Sequence, residues 1–89
     1  MRAIITVSSI DAVGIIAKIS TYLAGNNINI LDINQTIMGE FFTMIMLVDT
    51  SAAAIPFAEF VDGIDALADA NNLKIHVQRE DIFNTMHRI

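Results

Sequence analysis

Nine residues in the middle of the chain, Phe41–Asp49 (F-F-T-M-I-M-L-V-D), are apolar on both faces of any strand they form. Phe41, Thr43, Ile45 and Leu47 fall on one side, and Phe42, Met44, Met46 and Val48 on the other. Such a strand belongs inside a sheet with something packed against each face. The fold then reduces to finding its neighbours.

Residues 2–7 alternate, with Ala3, Ile5 and Val7 on one face and Arg2, Ile4 and Thr6 on the other, and predict a first strand. Asp11 is placed to cap the helix that follows. In that helix Ala12, Ile16, Ile19 and Leu23 share one face, flanked by Val13, Ala17, Ser20 and Ala24. Gly14, Lys18, Thr21, Tyr22 and Gly25 point away, and Gly25 suits the position just past the helix end. After an Asn26-Asn27 turn, residues 28–38 read as a long strand. Ile28 and Ile30 are expected on one face, with Leu31, Ile33 and Ile37 on the other. Met38-Gly39-Glu40 turns the chain back into Phe41–Asp49.

Residues 50–54 form a loop, and Pro56 suits the first turn of a second helix. Phe57, Phe60, Val61, Ile64, Leu67 and Ala68 follow helical spacing, while Glu59, Asp62, Asp65 and Asp69 make a solvated stripe. Asn71-Asn72 closes that helix. Residues 73–78 alternate as a fourth strand, with Leu73, Ile75 and Val77 inward. In residues 81–89, a possible Asp81 cap precedes Ile82, Phe83, Met86 and Ile89 at helical spacing, which predicts a short amphipathic helix.

The order βαββαβ is the split-βαβ, ferredoxin-like α+β plan. Right-handed crossovers put both helices on one face of a four-stranded antiparallel sheet of order 4-1-3-2, with the doubly apolar strand in the interior. The second face is left for the tail or a partner subunit to cover.

Eighty-nine residues make one domain, yet 54% of them are hydrophobic and 17% charged. A domain this small buries only ~60–65% of its unfolded surface. Part of the apolar excess is therefore expected against another copy of the chain, as a homodimer or higher oligomer. Five Lys and Arg against ten Asp and Glu disfavour nucleic acid as a partner. With no cysteine there is no disulfide frame, thiolate metal site or thiol nucleophile. Asp11 and Lys18 break the apolar N-terminal stretch well short of the ~20 residues of a membrane span, and no signal cleavage pattern follows a basic start. These readings predict a soluble cytoplasmic protein with no membrane partner.

The stretches D-A-V-G-I-I-A-K-I-S at 11–20 and N-N-I-N-I-L-D-I at 26–33 resemble the ACT domain, a regulatory module of many enzymes of amino-acid metabolism. The likeness covers roughly residues 2–79. It assigns 1–80 to an ACT domain and leaves 81–89 as an amphipathic tail. Gln35-Thr36, F-T-M at 42–44 and I-F-N-T-M-H-R-I at 82–89 look like small stand-alone ACT proteins of bacteria and archaea, whose role is uncharacterised. A more distant similarity is to the glycine-cleavage transcriptional repressor. The resemblance implies side-by-side or face-to-face pairing. It also implies a small ligand, usually an amino acid, held between the first turn of one subunit and the strand–helix region of the other. By position this points to Asp11, Gly14, Ile15, Asn27, Asn29 and Ile30. No catalytic domain accompanies the motif here, so control of an enzyme in the same chain is not expected.

Each residue also has a plain structural reading. Gly14 could serve turn geometry, Asp11 a helix cap, and the asparagines turn and strand entry. Asn29, with two donors and an acceptor, is the best suited of them to read an amino acid's ends. His76 and His87 lack a carboxylate cluster at metal spacing, so no metal or other cofactor is expected. The methionines suit core and interface filling. Acylphosphatases share the plan but need a basic phosphate cradle, and the first loop here, S-S-I-D-A-V-G, has no Arg or Lys. Metal chaperones of this fold need C-x-x-C. RNA-recognition modules pair strand aromatics with basic charge, which this chain lacks. The expected function is a non-catalytic, homodimeric sensor of a small metabolite, with a regulated enzyme or regulator as a possible further partner. The alternative is an assembly module that dimerises or scaffolds an enzyme without binding a metabolite.

Overall fold

The structure, a computed structural model, describes residues 1–10 and 13–81. The elements run β1 (Arg2–Ser9), α1 (Ile15–Gly25), β2 (Asn29–Met38), β3 (Phe41–Asp49), α2 (Phe57–Ala70) and β4 (Lys74–Arg79). The strands form one antiparallel sheet of order β2-β3-β1-β4, which is the expected 4-1-3-2 read from the other edge. The helix expected in the tail, with Ile82, Phe83, Met86, His87 and Ile89, lies outside the described residues.

One face of the sheet is the core. Ala3, Ile5 and Val7 of β1 and Phe42, Met44, Met46 and Val48 of β3 pack with Ile15, Ile19 and Leu23 of α1 and Phe60, Ile64 and Ala68 of α2. The alternation in β1 and β3 follows from the period of two, and the i, i+4, i+8 spacing on each helix brings one stripe inward. The two helices touch through Tyr22, whose ring stacks on Phe60 at 6.1 Å and whose hydroxyl donates to the Phe60 carbonyl at 3.3 Å. Gly63 makes this possible, since a Cβ there would collide with the Tyr22 hydroxyl. Tyr22, expected to point away from the core, is thus half-buried against α2.

Three further local expectations change. Gly14, at φ 74°, occupies the cap position of α1 that was expected for Asp11, and α1 begins at Ile15. Asp11 itself lies outside the described residues. Gly25 is the last residue of α1 and not the residue beyond it; the left-handed stop is Asn27 at φ 58°. Ile28 N–H donates to the Leu23 carbonyl (2.9 Å) and Asn27 N–H to Ala24 (3.1 Å), the paired bonds of a Schellman stop. The same stop ends α2, with Asn72 at φ 57° and Leu73 N–H donating to Ala68 (2.9 Å). Asn tolerates this conformation better than other side chains bearing a Cβ, so each Asn-Asn pair is a helix terminator.

The third change is in β2. A bulge between Ile30 and Asp32 shifts its register. Ile30, Ile33, Gln35 and Ile37 lie opposite Val48, Met46, Met44 and Phe42, on the helix side, while Asn29, Asp32 and Asn34 take the other face. The expected split, with Ile33 and Ile37 opposite Ile30, fails because the extra residue, Leu31, inverts the alternation after it. β2 is an edge strand, and every residue in it except Ile30 is exposed.

Candidate ligand site at the two ends of helix α1

Gly14 and Ile15 sit where the chain turns from β1 into α1. The left-handed Gly14 ends in a first helical bond, Lys18 N–H to the Gly14 carbonyl at 3.0 Å. The first amides of a helix have no partner within it, so this end carries free donors and partial positive charge. The Ile15 side chain is buried in the core, which leaves only its backbone for a ligand. Beside the turn lies a cavity of about 330 Å³, lined by Ile10, Val13, Ile15 and Lys18 and by the α2 stop, Asn71 and Asn72. Lys18 Nζ donates to Asn71 Oδ1 at 2.7 Å and so bridges α1 to the end of α2.

The other end of α1 carries Asn27, Asn29 and Ile30. Asn26 is structural: its carbonyl accepts from Ala54 N–H (2.9 Å) and its Nδ2 donates to the Tyr22 carbonyl (2.9 Å). Asn27 Nδ2 donates to the Ala52 carbonyl at 2.9 Å, tying the β3–α2 loop to the helix stop. The Asn29 side chain is exposed and makes no hydrogen bond to another described residue. Ile30 is half-buried against the core. A second cavity, about 420 Å³, is lined by Ala24, Asn27, Ile28, Asn29 and Ala52.

The structure therefore brings Asn27 and Asn29 together and keeps Gly14 and Ile15 apart from them. Eleven residues of α1 separate the two groups by about 16 Å at 1.5 Å per residue. Sequence reasoning missed Lys18, Asn71 and Asn72 beside the first turn and Ala52 beside the second. The repeated Asn-Asn pair was visible, but nothing in local spacing says that the α2 stop lies next to the start of α1. Among the described residues no three His, Cys, Asp or Glu side chains are placed to hold a metal, and no helix is long and apolar enough to cross a membrane.

The loop beyond the second cavity is tied to the N-terminus. Asp49 accepts from the Ser51 hydroxyl (2.6 Å) and amide (2.9 Å), and the Met1 ammonium lies 3.8 Å away. The Ser51 hydroxyl, then its amide, hold the Asp49 carboxyl below its ordinary value of 3.8. A lowered pKa gives stability that is present above the ordinary value and lost as pH falls through the folded one. Asp49→Asn should therefore flatten the acid side of the stability curve below pH 3.8. Urea midpoints at pH 6 and pH 2.5 should differ less in the variant than in the parent.

The sequence profile of the ACT domain matches residues 2–78. This chain belongs to the ACT domain family. A UPF0237 protein of Bifidobacterium longum is 48% identical over 88 residues, covering 99% of this chain and 98% of its own. An ACT domain protein from Streptococcus pneumoniae superposes with a TM-score of 0.81 at 37% identity, over 93% of each chain. A putative glycine cleavage system transcriptional repressor shares the fold with a TM-score of 0.75 at 19% identity, over 86% of this chain and 45% of its own. ACT domains are regulatory modules that commonly dimerise and bind small-molecule ligands.

Proposed function

We propose that this ACT protein is a non-catalytic, cytoplasmic, homodimeric sensor of a small metabolite, an amino acid. Its output would pass to a separate enzyme or regulator. The ligand would lie between subunits, against Asp11, Gly14 and Ile15 of one and Asn27, Asn29 and Ile30 of the other. The observation that carries this reading is topological. Gly14 and Ile15 stand at one end of α1 and Asn27, Asn29 and Ile30 at the other, and beside them runs β2, a ten-residue edge strand exposed along nearly its whole length.

Two β2 strands pairing antiparallel about a two-fold axis would join the sheets edge to edge. The partner's β2 would then run against this one, so its Asn29 end enters from the side on which α1 begins. With α1 about 16 Å long and strands rising ~3.3 Å per residue, an axis roughly two to three residues into β2, near Leu31 and Asp32, would set Asn29 of one subunit level with Gly14 of the other. The first amides of α1 suit a carboxylate, and the exposed Asn29 carboxamide suits the rest of an amino acid's backbone.

Thermal-shift measurements with each of the free amino acids at millimolar concentration test the ligand. One that binds only the folded state should raise the melting temperature, by an amount that grows with concentration. If none does, the assembly-module reading replaces this one. That reading draws support from the apolar side chains that β2 exposes, which pairing alone would explain. Sedimentation equilibrium tests the dimer separately: a folded monomer at micromolar concentration would refute it.

A further inference from the structure

The cavity beside the Gly14 turn has one charged lining residue. Of the described residues around it, Lys18 alone carries a charge; the others are apolar or, like Asn71 and Asn72, polar and neutral. At about 330 Å³ the cavity stands at the small end of the ~300–1,000 Å³ range of ligand sites.

Lys18 is held in place by a neutral group. Its Nζ donates to Asn71 Oδ1 at 2.7 Å, and Asn71 Nδ2 donates in turn to the Leu67 carbonyl at 2.9 Å. The carboxamide is thus committed at both ends and fixes the ammonium against the stop of α2. The described arginines differ, since Arg2 pairs with Glu80 at 2.7 Å and Arg79 with Asp81 at 2.9 Å. No described carboxylate pairs with Lys18, although the chain has ten acidic residues. An ammonium has three N–H donors, and Asn71 takes one. The charge and two donors remain for an anionic group.

The placement also has a direction. Lys18 lies one turn into α1 from Gly14, whose carbonyl accepts its backbone N–H. Helix α1 packs toward β2 and α2 toward β4, so a cavity lined by Asn71 and Asn72 is on the side of the turn away from the β2 edge. An amino acid with its carboxylate on the first amides of α1 and its amino group toward that edge sends its side chain toward Lys18.

We propose that this cavity receives the ligand's side chain and that Lys18 selects an acidic one, so the metabolite is an amino acid with a side-chain carboxylate. The proposal rests on the reading of this turn as an amino-acid site and adds the class of amino acid. A hydrogen bond between ammonium and carboxylate is about twice as strong as one between neutral groups. An apolar side chain in the same place strips water from Lys18 and returns no partner. A site built to bond a polar group rejects the analogue that lacks it.

Calorimetric titration of the full chain with L-aspartate, L-glutamate, L-glutamine and L-leucine tests this. At least one of the two acids should bind at least about tenfold more tightly than glutamine or leucine. In Lys18→Met, which keeps the aliphatic stem, that preference should vanish, with glutamine binding little changed; in Lys18→Arg it should persist. Lys18 is exposed, so the fold should survive either change, and circular dichroism checks that it has. Glutamine or leucine binding as tightly as the acids in the parent would overturn the proposal and leave the amino-acid site standing. So would an acid preference that survives in Lys18→Met. No binding of any of the twenty amino acids would overturn the amino-acid site itself, and this proposal with it.

Discussion

Phe60→Ala should lower the free energy of unfolding by about 3–5 kcal/mol, from lost transfer energy and the cavity left behind. Phe60 is fully buried, stacked on Tyr22 and tilted against Phe57 at 6.0 Å, so it is a main contact between α2 and α1. Small domains have only ~5–15 kcal/mol in total, so the variant would stand close to unfolding at room temperature. Tyr22 is the only tyrosine and there is no tryptophan, so the chain reports on this contact without labelling. Burial first, then the nearby Asp62 and Glu59 carboxylates, raise the Tyr22 hydroxyl above its ordinary 10.0. Truncating Phe60 opens the ring to water, and the ultraviolet titration of Tyr22 should move back toward 10.0. Urea unfolding followed by tyrosine fluorescence gives the stability. A loss below about 1 kcal/mol would mean that the helices do not depend on this contact.

Replacing Leu31 and Ile33 together with lysine should leave the fold intact and abolish the dimer proposed through the β2 edge. Both side chains are exposed on the edge strand, so the monomer loses little by the change. In the paired arrangement they lie near the two-fold axis, where each added charge comes close to a like charge of the second copy. Like charges set against each other across an interface cost several kcal/mol, which raises the dimer dissociation constant by at least about 100-fold. Lysine on an edge strand is also the device by which natural sheets refuse edge pairing. Sedimentation equilibrium at micromolar concentration should show a monomer, and any thermal shift given by an amino acid in the parent should vanish with the dimer. A variant that remains dimeric would place the interface elsewhere. A monomer that binds as tightly as the parent would show that the site lies within one subunit.

The structure also changes how Gly14 can be used as a probe. Gly14→Val would place a β-branched side chain against an approaching ligand, but Gly14 has φ 74° and caps α1. A valine there carries backbone strain of about 1–3 kcal/mol, so weaker binding would not distinguish a blocked site from a disturbed helix start. Asn29→Ala avoids this. Its side chain is exposed and unbonded to any described residue, so the fold should tolerate its loss and a change in binding can be read directly.

Element order, sheet order and the buried set of β1 and β3 could all be read from the residues. Periods of two and 3.6 carry that information locally, and the one strand apolar on both faces had to lie inside. The cap of α1 and the faces of β2 could not. The cap depends on which residue turns left-handed, and a single extra residue, Leu31, inverts everything downstream of it in β2. The candidate site divides in the same way. Gly14, Asn27 and Asn29 stood out as residue types suited to meeting a ligand, because small and carboxamide side chains at turns are visible in any sequence. That Asn27 is already occupied by Ala52, that Asn29 is bonded to no other described residue, and that α1 holds Gly14 about 16 Å from them were decided by tertiary structure alone. Such facts depend on contacts between segments far apart in the chain, and no local pattern of residues records them.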